Sequence, residues 1–181
     1  MIEPNFDAFQ LIGQIALGII GFSAILIGLS RTSHGFSDPD NFRIQLLTYS
    51  AFGAMFGSII PFAIFGDQTL EVAWSICFWI MSLYSVVGLI VFPRRMIQLR
   101  KSGHEDIFPI KLYLFQTGIL STVFILSLLV ITKKYFEPSQ IYIVCLVLFL
   151  ILLVKFLYFQ SYQSILKKLP TIVTLLRYAK S

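Results

Sequence analysis

A chain of 181 residues that is 57% hydrophobic and only 13% charged carries more apolar surface than a water-soluble core of that size hides. Its net charge of +5 comes with no soluble domain that would hold a nucleic acid, so the basic balance points to a membrane surface instead. The apolar residues fall in runs of about 20, which excludes a transmembrane β-barrel with its ~10-residue alternating segments.

The expected fold is therefore all-α, a polytopic helical bundle with spans at 9–29, 42–65, 71–92, 111–131 and 140–160. These five spans form one transmembrane domain, 1–160, followed by a basic amphipathic tail, 161–181. The opening MIEPNFDAFQ is acidic, and no small-residue cleavage site follows its apolar run, so the first span is expected to stay in the mature protein. On a helical wheel Gln10, Gly13, Gln14, Gly21, Ala24 and Gly28 fall close together, leaving bulky residues elsewhere.

Ser37 or Asp38 followed by Pro39 and Asp40 reads as a helix start, with Arg43 one turn further at headgroup depth. In the second span Ser50, Gly53, Ala54, Gly57, Ser58 and Pro61 share one arc of about 140°. Phe52, Met55, Phe56 and Ile59 take the other side. Small residues let another backbone approach, and Gly53-x-x-x-Gly57 has the GxxxG spacing of that device. The expected helix-packing set is Gly13, Gly21, Gly28, Gly53, Gly57 and Pro61, with spans one and two packing on each other or across a subunit boundary. Pro61 cannot donate to the carbonyl of Gly57, so a kink is expected there, and Ser58 is the expected substitute donor.

The run FSDPDNFRIQLLTYSAFGAMFGSIIP, followed by PRR after the third span, resembles small uncharacterised multi-pass bacterial inner-membrane proteins. What carries the resemblance is a Ser/Asp-Pro helix start, an Arg, and a small-residue span with a Pro. It implies a bacterial cytoplasmic membrane and brings no activity with it.

Trp74 near the end of span three, and Tyr135 and Phe136 after span four, fit an aromatic belt. Of the 14 Lys and Arg, all but Lys133 and Lys134 lie on the side that also holds the C-terminus. The positive-inside rule then places the N-terminus out and the C-terminus in. After a break at Pro170, Ile172, Leu175, Leu176 and Ala179 repeat at helical spacing, so an interfacial amphipathic helix on an anionic inner leaflet is expected.

Chemistry is sparse. No Asp or Glu lies mid-span, Lys155 sits near the inner end of span five, and no potassium-filter or phosphate-loop motif occurs. Cys77 and Cys145 lie within spans and read as small buried hydrophobes. His34 and His104 share the inner side with Asp38, Asp40, Glu105 and Asp106, but lack zinc-site spacing. No catalytic residue, metal or cofactor is assigned on these grounds.

The leading expectation is a non-enzymatic integral membrane protein, an oligomerising unit or a subunit of a membrane assembly. Its partners would be anionic lipids, copies of itself or other membrane subunits, and not nucleic acid. One alternative is an oligomeric channel or membrane-permeabilising effector, with Ser50, Ser58, Ser75, Ser82 and Ser85 along a polar path and Arg43 meeting an anion or headgroup. Another is a membrane enzyme or lipid-handling protein that uses the inner His and acid loops.

Overall fold

The computed structural model describes residues 4–30, 37–66, 69–103, 109–132, 137–155 and 157. Among them every regular element is an α-helix: α1 (Phe6–Ser30), α2 (Asp38–Ile64), α3 (Leu70–Lys101), α4 (Ile110–Ile131) and α5 (Pro138–Lys155). All five helices are long and apolar enough to cross a membrane. Their outer faces carry residues such as Leu17, Ile25, Leu83 and Leu114, each at least 60% exposed. In water such a surface would aggregate, whereas in lipid it is the correct exterior.

The helix starts and ends follow local chemistry. Ser37, in extended backbone, caps α2 by accepting the Asp40 N–H at 3.4 Å and donating its hydroxyl to Asp40 Oδ2 at 2.5 Å. Pro39 sits in the first turn, where its missing N–H costs nothing. α2 runs one turn beyond Pro61, and the Phe65 N–H closes on the Pro61 carbonyl. α3 runs further than hydropathy suggests. Instead of stopping at Phe92, it passes through Pro93 and ends at Lys101, and Gly103 then adopts φ 88°. At 1.5 Å per residue this 32-residue helix is about 48 Å long, more than the ~30 Å hydrocarbon layer.

α1 and α2, α2 and α3, and α3 and α4 pack as antiparallel neighbours, as short connections dictate. α5, the last of the described helices, is not peripheral. Its Tyr142, Cys145, Leu146, Phe149, Leu152 and Leu153 are all fully buried. It lies antiparallel to α2 and parallel to α3, with Leu146 and Phe149 reaching Gly57 and Gly53, and Tyr142 against Trp74.

Trp74 is only 3% exposed, so its ring faces the interior of the protein and not lipid. Its ring packs against Phe65 at 4.8 Å, Tyr142 at 5.8 Å and Phe9 at 6.4 Å, joining α1, α2, α3 and α5 at one end of the bundle. Tyr135, Phe136, Glu105, Asp106 and the whole tail 161–181 lie outside the described residues, and so does the interfacial helix expected there.

Candidate functional site

The small-residue arc of α2 is buried throughout: Ser50, Gly53, Ala54, Gly57, Ser58 and Pro61 all face inward. Phe52, Phe56 and Ile59 on the other side are exposed. Spans one and two pack on each other as expected, but the side chains over the two glycines come from α5 and α3. A Cβ at Gly53 would lie 2.8 Å from the Tyr84 ring and 3.0 Å from that of Phe149. A Cβ at Gly57 would lie 2.6 Å from Leu146 Cδ2 and 3.1 Å from Met81 Cε. Both glycines are thus the floor of a groove into which large side chains from two other helices descend. α1 packs along the same helix, with Phe6 4.7 Å from Phe62, Ile19 and Ile20 beside Leu47 and Ala51, and a Cβ on Gly13 that would come 2.5 Å from Ser58 Oγ.

Within this groove lies the answer to Pro61. Because residue 61 has no N–H, the Gly57 carbonyl loses its intrahelical donor. The buried Tyr142 hydroxyl of α5 supplies one, donating to Gly57 O at 2.7 Å. Ser58, the donor expected from sequence, turns instead to its own helix and donates to Met55 O at 2.7 Å. The reason is reach: a serine hydroxyl in a helix meets the carbonyls three or four residues back, not the one immediately before it.

About two helical turns from Gly57, Tyr49 of α2 and Tyr84 of α3 form a reciprocal clasp. Their rings stack at 4.3 Å and 9°, the Tyr49 hydroxyl donates to Tyr84 O, and the Tyr84 hydroxyl donates to Tyr49 O at 2.6 Å. Gly88 makes room for this, since a Cβ there would lie 2.5 Å from the Tyr49 hydroxyl oxygen. Each phenol thereby takes its polar atom out of lipid while keeping its ring in the core. Neither tyrosine stands out in the sequence alone. The available signal was a phenol deep in an apolar span facing a lone glycine on another span.

Four of the five serines proposed as a polar path are bonded within their own helices, Ser58 as described above. Ser50 donates to Leu46 O at 2.9 Å, Ser75 to Glu71 O at 3.0 Å and Ser85 to Met81 O at 3.0 Å. Ser50, Ser58, Ser82 and Ser85 are buried, while Ser75 is half-buried. Arg43 is 7% exposed and meets Asp40 at 3.5 Å, one of the carboxylates proposed for it. Nearby, Arg95 of α3 donates to Gln45 Oε1 of α2 at 2.8 Å. Lys155 lies 5.7 Å from the Phe115 ring, a cation–π contact at the same basic end. His34 and His104 are outside the described residues, among which no group of three metal-binding side chains occurs. Cys77 and Cys145 are buried free thiols. Gln116 of α4 is a further buried polar residue that the sequence pattern did not single out.

The α1 stripe behaves differently from that of α2. Gln10, Gln14, Gly21, Ala24 and Gly28 are all exposed, and among the described residues no atom of another side chain or helix approaches the Cβ positions of Gly21 and Gly28 within 4 Å. α1 packs on the bundle through the other face instead, with Phe9, Ile12, Ala16 and Ser23 buried. Only Gly13, at the edge of the stripe, takes part in the expected contact with α2.

Comparison with protein-family models, curated proteins and solved structures finds no match to this chain.

Proposed function

We propose that this chain is a non-enzymatic, multi-pass protein of the bacterial inner membrane, N-terminus out and C-terminus in, that serves as a structural unit of a membrane assembly. It works by presenting a rigid helical bundle to copies of itself or to other membrane subunits. The observation that carries this reading is the filled interior. The α2 groove is occupied by Tyr142, Leu146 and Phe149, and its one freed carbonyl is paired by a side chain of the bundle. A conduction path along Ser50, Ser58 and Ser85 would have to break hydroxyl bonds that each serine already makes to its own helix.

The test is the native mass in mild detergent, together with ion flux in proteoliposomes. A discrete assembly larger than the 20.6 kDa protomer, without flux, supports the reading. A voltage-dependent conductance would overturn it in favour of a channel. So would a monomer that co-purifies with no other subunit.

A further inference from the structure

The outward face of α1 carries a pattern that its small residues alone do not explain. Gln10, Gln14, Leu17, Gly21, Ala24 and Gly28 follow one another at steps of four, three, four, three and four residues. That is the a/d pattern of a heptad seam, the spacing that keeps two helices in contact along a left-handed pair. All six are exposed. Among the described residues the seam is unused, and the packing of α1 on the bundle takes the other side of the helix.

Two of the six are amides. Gln10 and Gln14 make no hydrogen bond to any described residue, and Gln14 lies more than two helical turns inside a span that begins at Phe6. Acyl chains offer such an amide neither donor nor acceptor, so an unpaired glutamine at this depth is costly. A glutamine amide has both a donor and an acceptor, and its natural complement is another glutamine.

The membrane supplies the register. Copies of one chain inserted in the same orientation hold Gln14 at the same depth. A two-fold axis along the membrane normal therefore brings Gln14 to Gln14 with no adjustment along the helix. Gly21, Ala24 and Gly28 then let the two backbones approach over the following two turns. The seam also borders an open groove of about 340 Å³ between α1 and α2, lined by Gln10, Gly13, Gln14, Met55 and Ile59, which has room for side chains of the second helix.

We propose that α1 is a homotypic interface: the seam Gln10, Gln14, Leu17, Gly21, Ala24, Gly28 of one copy pairs in parallel with the same seam of a second copy, zipped by glutamine amides. This rests on the reading of the chain as an assembling unit and names the surface and the partner.

Cysteine scanning tests it. In a background carrying Cys77→Ala and Cys145→Ala, single cysteines are placed at 14, 17, 21, 24 and 28. Controls go at Ile15 and Phe22, which are equally lipid-facing but off the seam, 43% and 59% exposed. Oxidation in native membranes should give a product of twice the protomer mass at the seam positions, with yields at the controls at least about fivefold lower. Gln14→Leu should lower the dimer fraction about tenfold, and Gln14→Asn should restore part of it.

Equal yields at seam and control positions would overturn the interface. Products containing a different polypeptide would overturn the identity of the partner. If the native mass still shows an oligomer when the scan is flat, the assembly reading stands and the seam falls; a monomeric native mass removes both. Each variant's thermal melting in detergent identifies any that fail to fold.

Discussion

Two stripes of small residues run along this molecule, one on α2 and one on α1, and they have opposite fates. On α2, Gly53 and Gly57 are buried under Phe149, Tyr84, Leu146 and Met81, within the chain. On α1, Gly21 and Gly28 face outward with none of the described residues above them. By composition the stripes are near twins. What separates them is the partner: α2 is met by large side chains from a helix about 85 residues later in the chain, with a hydroxyl aimed at a freed carbonyl. α1 shows glutamines, whose complement is their own kind. A run of small residues says that something comes close, and the polar atoms beside it say what.

Breaking the filled stripe should have the largest effect. Gly57→Leu sets a branched side chain where even a Cβ meets Leu146 at 2.6 Å, so the protomer should lose about 2–3 kcal/mol of stability. Titrating the folded protein with SDS and following helical circular dichroism measures this, and Leu146→Ala in the same chain should recover part of the loss. Wild-type behaviour of the single variant would contradict the groove.

Tyr142→Phe comes next. It leaves the Gly57 carbonyl without a donor in the membrane interior, at a cost of about 1–3 kcal/mol. The cost should shrink when Pro61→Ala is added, because an alanine at that position returns an N–H to the carbonyl. A double-mutant cycle with no coupling between the two sites would dismiss the repair.

Tyr84→Phe should be milder, about 1 kcal/mol, since the Tyr49 carbonyl that it abandons keeps its intrahelical donor. The stacked rings would survive, and stability measured in the same SDS titration should reveal the difference from Tyr142→Phe.

Gly21→Leu should have the smallest effect on the protomer, within about 0.5 kcal/mol, because its side chain enters open space. A melting shift as large as that of Gly57→Leu would erase the contrast between the two stripes.

Much of the fold is visible in the apolar runs, since crossing lipid demands about 20 apolar residues in a helix and little else competes with that signal. The start of α2 is equally plain, because Ser37, Pro39 and Asp40 act within one turn. The extension of α3 to Lys101 is not, because Pro93 and Arg94 end the apolar run while the helix goes on outside it. Legible too is the inward arc of α2, down to each residue. Its occupant is illegible, since nothing local to Gly57 indicates that α5 covers it. Pro61 announces a carbonyl in need, but the donor is set by tertiary packing, and Tyr142 looks like any other aromatic in an apolar span. The stripe on α1 is equally readable as a stripe. Its direction depends on which face carries Phe9, Ile12 and Ala16 into the core.

The central place of α5 has a consequence for biogenesis. A ribosome delivers α2 well before α5; at about 5–20 residues per second, the 74 positions separating Ile64 from Pro138 take roughly 4–15 s. During that interval the Gly57 carbonyl has no donor, and the glycine floor of α2 is open to lipid or to the insertion machinery. α5 is thus the latch, and a chain halted after α4 would expose an unfinished surface for quality control to recognise.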